Sequence, residues 1–393
     1  MIKYYSIQDP SLCSGCMGCY NICPTGAINF KPNEEGFLYP DITVDKCIKC
    51  NLCSKICPFE NEPSKKVPLD MYAFQNSNDH DLSNSSSGGF FRLLTNYVLS
   101  KDGYVVGAVM DEDYVVNLEI TNDQNVIEKM MGSKYVYCRP NDIYNRVKEK
   151  LDQGVYVLFT GSPCECAAMK NVLKKEYSNL ILAEFLCYGM PSELVLASYI
   201  TVLNKKGKIS DIKFRDKSYK GWGKVFSYKQ KGKKRANIET TDPYLYGFIS
   251  GYFNRWSCYN CEFRGEKRFT DFTFSDYWEV QKYHSEINIQ KGVSAVSINT
   301  EKAKAIQEEL KDCALWIQSK REYAGEGNPA LLDTPMAFEE KIPPLRQHIY
   351  SDVSQYGWKW CEKKYFRPRK YLYKKIWYKI PRNIAKKIKS IVK

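Results

Sequence analysis

"CSGCMGCYNICP" (residues 13–24) places four cysteines within eleven residues and follows the last with a proline. "CIKCNLCSKICP" (47–58) repeats the phrase 34 residues later. Both read C-x2-C-x2-C-x3-C-P. Three cysteines at x2 spacing can wrap one face of an iron–sulfur cubane, one thiolate per iron, and a remote fourth cysteine closes it. In the bacterial two-cluster pattern the fourth ligand comes from the other run. The spacing therefore assigns Cys13, Cys16, Cys19 and Cys57 to one [4Fe-4S] cluster and Cys47, Cys50, Cys53 and Cys23 to a second. Pro24 and Pro58 turn the chain away after the crossing ligands, and Gly15 and Gly18 keep side chains out of the tight loop. The rival is a pair of zinc knuckles, which use separated C-x2-C pairs or add histidine. Neither run contains a histidine, and the run ending in proline is the more specific pattern. Two neighbouring clusters make a wire for single electrons. Residues 1–66 are thus expected to form an α+β ferredoxin-like module, with "NEPSKKVP" (61–68) as a linker.

The rest of the composition fits that chemistry. The chain has 393 residues, 44% hydrophobic and 26% charged, as in an ordinary globular protein. No stretch reaches the roughly 18–20 apolar residues of a membrane span. The N-terminus lacks an apolar core of signal-peptide length, which predicts a cytoplasmic protein. Sixteen cysteines in that setting argue for metal or redox chemistry over a disulfide framework. The net charge of +13 is concentrated at one end, because residues 361–393 hold thirteen Lys/Arg and one Glu. Aromatics such as Tyr371, Tyr373 and Trp377 alternate with those lysines, and Ile384, Ala385, Ile388 and Ile391 share one helical face. This predicts a basic amphipathic tail resting on an anionic membrane surface at the inner face of the cell membrane. Single-stranded nucleic acid suits the same composition. The nearly neutral body carries no nucleic-acid motif, which weighs against that partner. A simply solvated tail is the third reading.

From residue 70 strands and helices alternate. "GYVVGAVM" (103–110) and "YVVNLEI" (114–120) read as adjacent strands. "IYNRVKEKLDQG" (143–154), "CECAAMKNVLKKEY" (164–177) and "SELVLASYITVLNKKG" (192–207) read as helices around the strands "VYVLFT" (155–160) and "LILAEFLC" (180–187). That order predicts a parallel α/β layer, whose ligands lie beyond the carboxyl ends of the strands. Two such loops carry cysteine, "GSPC" (161–164) and "CYGMPS" (187–192), and "CYNC" (258–261) adds a pair. Cys164, Cys187, Cys258 and Cys261 would suffice for a third cubane. The residues leave this open, since a cysteine after a buried strand is often a core residue and C-x2-C alone fits zinc. "SNSSSGGFFRLL" (83–94) runs hydroxyls and two glycines into a helix start, as a phosphate cradle or as a plain N-cap. Lys134 in "MGSKYVYC" (131–138) reads as a surface lysine, and "FRDKSYKGWG" (214–223) as a solvated charge run or a site at a strand end. The three histidines stand apart from any nucleophile pattern.

The motifs "SSSGGF", "GSKYV", "VLFTGSPCECAAMK", "FLCYGMPS", "FRDKSYKGWG" and "CYNCEF…DFTFSDYWEV" occur in an order that resembles the family of beta subunits of coenzyme F420-reducing hydrogenases and dehydrogenases. The resemblance spans residues 84–280. It implies an α/β flavin-binding oxidoreductase domain over 70–340, between the ferredoxin module (1–66) and the basic tail (341–393). It makes Cys164, Cys187, Cys258 and Cys261 the ligands of a third [4Fe-4S] cluster. Ser86, Ser87, Gly88, Gly89 and Lys134 become FAD contacts, and Asp276 and Trp278 match the family's D-x-W near the cluster. Glu165 and Cys166 stand where Gln and a small apolar residue are usual, which predicts a variant cluster environment. The ferredoxin front and basic tail resemble a bacterial branch found beside surface-polysaccharide genes. Two function classes follow. One is an iron–sulfur flavoprotein taking electrons from a redox carrier and exchanging hydride with a deazaflavin, a nicotinamide or an activated sugar. The other is a non-catalytic electron-transfer protein that feeds a partner oxidoreductase.

Overall fold

The computed structural model describes residues 2–332 and 342–366. In the cysteine-rich front, strands β1 (Ile28–Pro32) and β2 (Leu38–Ile42) pair antiparallel from Ile28↔Ile42 to Pro32↔Leu38. Two one-turn helices, Gly18–Ile22 and Leu52–Lys55, carry the third cysteine of each run. Each helix follows a residue in the left-handed region, Met17 (φ 56°) and Asn51 (φ 59°). These two residues hold the same place in the two phrases, so the sequence repeat is also a repeat of backbone shape.

The body is built on a nine-stranded sheet. Its strands are β3 (Asp70–Asn76), β4 (Tyr104–Met110), β5 (Val116–Thr121), β6 (Cys138–Arg139), β7 (Val157–Gly161), β8 (Leu180–Phe185), β12 (Phe272–Asp276), β13 (Ser294–Ile298) and β14 (Ala314–Gln318), in spatial order β14-β3-β13-β12-β8-β7-β4-β5-β6. Between them in sequence, β9 (Ile209–Lys213), β10 (Val225–Gln230) and β11 (Lys233–Ile238) form a separate antiparallel sheet. The expected parallel layer occupies only the centre, where β4, β7, β8 and β12 run parallel. The flanks are mixed. The short turn after β4 returns β5 antiparallel, and the segment between β12 and β13 holds only 3-10 turns, too little for a parallel crossover. β3 and β14 then add antiparallel at that edge.

Side chains alternate across the central strands. Val157, Phe159, Leu180 and Leu182 face the helices Ile143–Asp152, Pro163–Leu173 and Glu193–Asn204, while Leu158, Ile181 and Ala183 face the helices Phe90–Leu99 and Glu301–Glu309. Helices thus cover both faces.

Residues that the sequence assigned to a tail from 341 belong partly to this body. The helices Ile349–Tyr356 and Trp358–Tyr365 place Ile349, Trp358, Cys361 and Phe366 in the same core as the central strands. These apolar residues are buried, so the body continues at least as far as Phe366. The basic stretch expected to meet a membrane lies from 367 onward, outside the described residues, and a truncation testing it belongs after Phe366. Among the described residues no helix is long and apolar enough to cross a membrane.

One buried acid gives the fold a pH signature. Asp242 is completely buried at the start of the helix Pro243–Ile249, accepting from the Leu245 amide at 2.9 Å and the Tyr199 hydroxyl at 2.7 Å. Burial pushes its carboxyl up to about 7 in spite of these donors. The unfolded chain ionises near 4, so the folded state holds an extra proton from there to about 7, and stability falls as pH rises through that window. Asp242→Asn cannot ionise; its one oxygen can keep the Leu245 amide bond, while its amide nitrogen meets the Tyr199 hydroxyl as a donor. It is expected to flatten the decline by roughly 2–4 kcal/mol between pH 4 and 7, read by denaturant unfolding at several pH values.

Candidate electron-transfer centre

The cysteines fall into three groups. Cys23, Cys47, Cys50 and Cys53 line one pocket, with Ile28, Ile42 and Leu52. The Ala27 amide points at the Cys23 sulfur at 3.3 Å. Cys13, Cys16, Cys19 and Cys57 make the second group. Burial pushes the Cys16 and Cys19 thiols well up, and the other thiols of the group push the same way. Burial likewise takes Cys57 up to about 12, with Cys13 adding to it. The Gly15 amide donates to the Cys13 sulfur at 3.4 Å.

The third group joins segments nearly a hundred residues apart. Cys164 stands in the first turn of the helix Pro163–Leu173, after β7. Cys187 follows β8, which pairs parallel with β7, so both leave the same sheet edge. Cys258 lies on the one-turn helix Trp256–Tyr259 and Cys261 just beyond it. Burial, followed by the thiols of Cys258, Cys164 and Cys261, pushes Cys187 well up. Burial and Cys164 push Cys258 up to about 11, and burial and Cys258 do the same for Cys261. Each thiol raises another only because they share one neighbourhood. Cys16 also feels Cys164, which sets the second and third groups side by side. Among the described residues no three such side chains close on a point the size of one metal ion. Ligands spread around a cubane do not need to.

Glu165 completes a capping box. Its Oε2 accepts from the Ser162 amide at 2.7 Å and the Ser162 hydroxyl at 2.8 Å, at the start of the helix that carries Cys164. The residue that departs from the family's usual pattern is therefore a helix cap. Of the remaining cysteines, Cys138, Cys166 and Cys361 are buried core residues and Cys313 is exposed.

The Ser-Gly loop is turned inward. The Ser86 hydroxyl accepts from the Ser133 amide at 2.7 Å, and the Ser87 hydroxyl donates to the Val293 carbonyl at 2.8 Å. A Cβ on Gly88 would lie 2.3 Å from the Phe74 carbonyl oxygen and 2.6 Å from the Ser294 amide nitrogen. Close approach to β3 and β13 thus requires that glycine. Gly89, at φ 84°, opens the helix Phe90–Leu99 from the left-handed region. Lys134 is not the free surface lysine that its motif suggests. Its amine donates to the carbonyls of Lys129, Met130 and Met131, closing the helix Gln124–Met130. A flavin contact from Lys134 would have to displace those bonds.

"FRDKSYKGWG" is no solvated run. Arg215 is buried and grips Asp276 through both terminal nitrogens at 2.6 and 2.8 Å, while also donating to the Ser86 carbonyl at 3.1 Å. The Trp222 indole donates to Asp276 at 2.9 Å, and its ring stacks on Trp278 with centres 4.6 Å apart. The D-x-W pair, expected beside the cluster, thus takes its contacts toward the Ser86 loop. The Lys224 amine lies 4.9 Å from the Trp278 ring centre, and burial together with Arg215 holds its pKa down. The acids felt by Lys224 are Asp276 and Glu239.

Two arginines are not singled out by the sequence motifs. Arg346 is fully buried and forks onto Glu35 with both contacts at 2.6 Å. Arg255, also fully buried, donates to the Cys13 carbonyl at 2.7 Å. Both join the body to the cysteine-rich front. The aromatic richness of "YFNRWSCYNC" is the one available hint for Arg255, because an arginine among aromatics is often stacked and buried.

Comparison with known proteins agrees with this division. Residues 12–61 match the 4Fe-4S dicluster domain, and residues 155–321 match the family described as the C terminus of the coenzyme F420 hydrogenase/dehydrogenase beta subunit. One component of the F420H2 dehydrogenase of Methanosarcina mazei is 21% identical over 189 residues, 46% of this chain and 54% of that protein. An uncharacterized polyferredoxin-like protein of Methanocaldococcus jannaschii is 40% identical over 71 residues, 15% of this chain and 42% of that one. The chain spans about half the length of the curated relatives it matches. A chain from the F420-reducing [NiFe] hydrogenase complex of Methanosarcina barkeri superposes with a TM-score of 0.45 at 14% identity, covering 73% of this chain and 93% of that one.

Proposed function

We infer that this chain, whose residues 12–61 form a 4Fe-4S dicluster domain and whose residues 155–321 belong to the family of coenzyme F420 hydrogenase/dehydrogenase beta subunits, is an iron–sulfur flavoprotein oxidoreductase component. Cys23, Cys47, Cys50 and Cys53 would hold the outer cluster, Cys13, Cys16, Cys19 and Cys57 the next, and Cys164, Cys187, Cys258 and Cys261 the third. When bound, such clusters supply one-electron transfer and FAD supplies exchange between single electrons and hydride. The observation that carries the reading is the packing of the helix Gly18–Ile22, which holds Cys19, on the helix Pro163–Leu173, which holds Cys164: a Cβ on Gly18 would lie 3.3 Å from the Ala168 Cβ. On this reading the body cysteines would continue the line that the ferredoxin cysteines begin.

For FAD the chain offers the loop Ser86–Gly89 and Lys224, while the Lys217 amine is already bonded to the carbonyls of Leu82, Ser87 and Lys291. Burial holds Lys224 low, so a phosphate there would supply the negative charge that the ammonium lacks. The acceptor is a deazaflavin, a nicotinamide or an activated sugar, and the donor a redox carrier or partner oxidoreductase. An activated-sugar acceptor would place the chain in surface-polysaccharide synthesis.

Anaerobic purification with iron, sulfide and flavin counts tests the whole reading. About twelve iron atoms per chain are expected for three cubanes, with one FAD. Zinc as the dominant metal would overturn the cluster assignment. Lys224→Met is expected to lower flavin content several-fold at unchanged iron, and unchanged flavin would remove the lysine from the site. One observation favours a second reading, a non-catalytic electron-transfer protein. The hydroxyls of Ser86 and Ser87 already have partners inside the protein. Full iron with no flavin in the purified protein would decide for it.

A further inference from the structure

Arg255 stands apart from the other buried arginines. Arg215, Arg268 and Arg346 each face a carboxylate. Arg255 is equally buried, yet it forms no ion pair among the described residues. Its Nε donates to the Cys13 carbonyl at 2.7 Å, and Nη2 donates to the Leu38 carbonyl at 2.8 Å. Nη2 also lies 3.8 Å from the Cys13 sulfur, and the cation rests 3.9 Å from the Tyr39 ring centre. Nη1 has no hydrogen-bond partner. It stands 2.8 Å from where a Cβ on Gly15 would be, so it points into the loop between the first two cysteines. Burying a charge without a counter-ion is strongly unfavourable, and a guanidinium does not shed its proton. Carbonyls and a ring face offset part of that cost. The remaining donor needs an anion, and the chemistry beside it is thiolate sulfur.

We propose that Arg255 is the fixed counter-charge of the cluster held by Cys13, Cys16, Cys19 and Cys57, and that it raises the reduction potential of that cluster. The inference rests on the ligand assignment given above. A cubane with four thiolates is an anion in both redox states and gains one negative charge on reduction, so a nearby cation favours the reduced state more strongly. The electron comes from an external one-electron reductant. No bond forms or breaks, and no proton moves, because Arg255 stays charged throughout. The same residue reaches toward the third group, since its carbonyl accepts from the Cys258 amide at 2.9 Å. Arg255 thus sits where the ferredoxin line meets the body. A raised potential there favours an electron resting on that cluster.

The test uses the full chain prepared anaerobically, with dithionite as reductant, and compares wild type, Arg255→Lys and Arg255→Gln. Each is titrated potentiometrically and followed by electron paramagnetic resonance, with iron counted in the same samples. In the Gln protein one cluster is expected to become harder to reduce by roughly tenfold to a hundredfold in its reduced-to-oxidised ratio, at 59 mV per tenfold for one electron. The Lys protein should stay within about a factor of three of wild type in that ratio. An unchanged potential in the Gln protein at full iron content overturns the proposal while leaving the ligand assignment intact. Absence of ferredoxin-type signals in iron-loaded wild type overturns the assignment itself. Loss of iron from the Gln protein alone supports a requirement for the charge. Loss from both variants shows that the residue acts through its shape, and overturns the proposal.

Discussion

Cys258→Ser is expected to remove about four iron atoms per chain and to leave about eight in place. The loss should be confined to one cluster, because Cys258 belongs to the group formed by the body and shares no segment with the two cysteine runs at the front. A serine hydroxyl has the size of the thiol but remains protonated at neutral pH and is a poor ligand for iron. Cys261→Ser should give the same result, which separates ligand loss from an accident of folding at one position. Cys313→Ser is the control, since Cys313 is exposed and far in sequence from the others. The measurement is iron and sulfide per chain with the visible spectrum of the anaerobic protein. Full iron content in both Cys258→Ser and Cys261→Ser would show that these cysteines hold no cluster.

Arg346→Met is expected to cost roughly 3–5 kcal/mol, the range found when one partner of a buried ion pair is removed. Arg346 has no exposed surface and meets both oxygens of Glu35. It also donates to the Asn254 carbonyl at 2.7 Å and lies 4.2 Å from the Trp256 ring centre. Methionine can fill much of the volume but leaves the carboxylate of Glu35 unpaired between two modules. Glu35→Gln should cost less, because its amide oxygen still accepts from the guanidinium. Denaturant unfolding followed by circular dichroism checks both. A Met variant within about 1 kcal/mol of wild type would mean that this pair does not join the front to the body.

The front module was legible because its chemistry is written in local spacing. Four cysteines and a proline fix a loop shape, and the second copy confirms the period. The central strands were legible for a similar reason, since "VYVLFT" and "LILAEFLC" are short apolar runs followed by helices. The antiparallel flank was not. β12, β13, β3 and β14 come from residues 272, 294, 70 and 314 onward, and nothing local in those segments records which strand lies beside which. The third group of cysteines was visible as a set of candidates and became a group only when β7 and β8 were seen to pair. Lys134 and Gly88 each sit in a motif that suggests a ligand, and the structure adds a task that the motif does not record, as a helix C-cap and as a close approach between backbones. Arg255 and Arg346 were silent in the sequence because their partners, Cys13 and Glu35, lie more than two hundred residues away.

Arg255 on the Cys13 carbonyl, Arg346 on Glu35, the bridge between Lys66 and Arg268, and Tyr144 on the Cys16 carbonyl together tie the cysteine-rich front to the body at several points. A ferredoxin that is free in solution must find its acceptor by diffusion, and its turnover then depends on encounter. On the proposed assignment, donor and acceptor positions would be parts of one chain, joined by these contacts. Passage between them would be paced by tunnelling across a constant gap, indifferent to the viscosity of the medium. Only the arrival of the electron at the outermost cysteines and its departure with the product would still wait on collision.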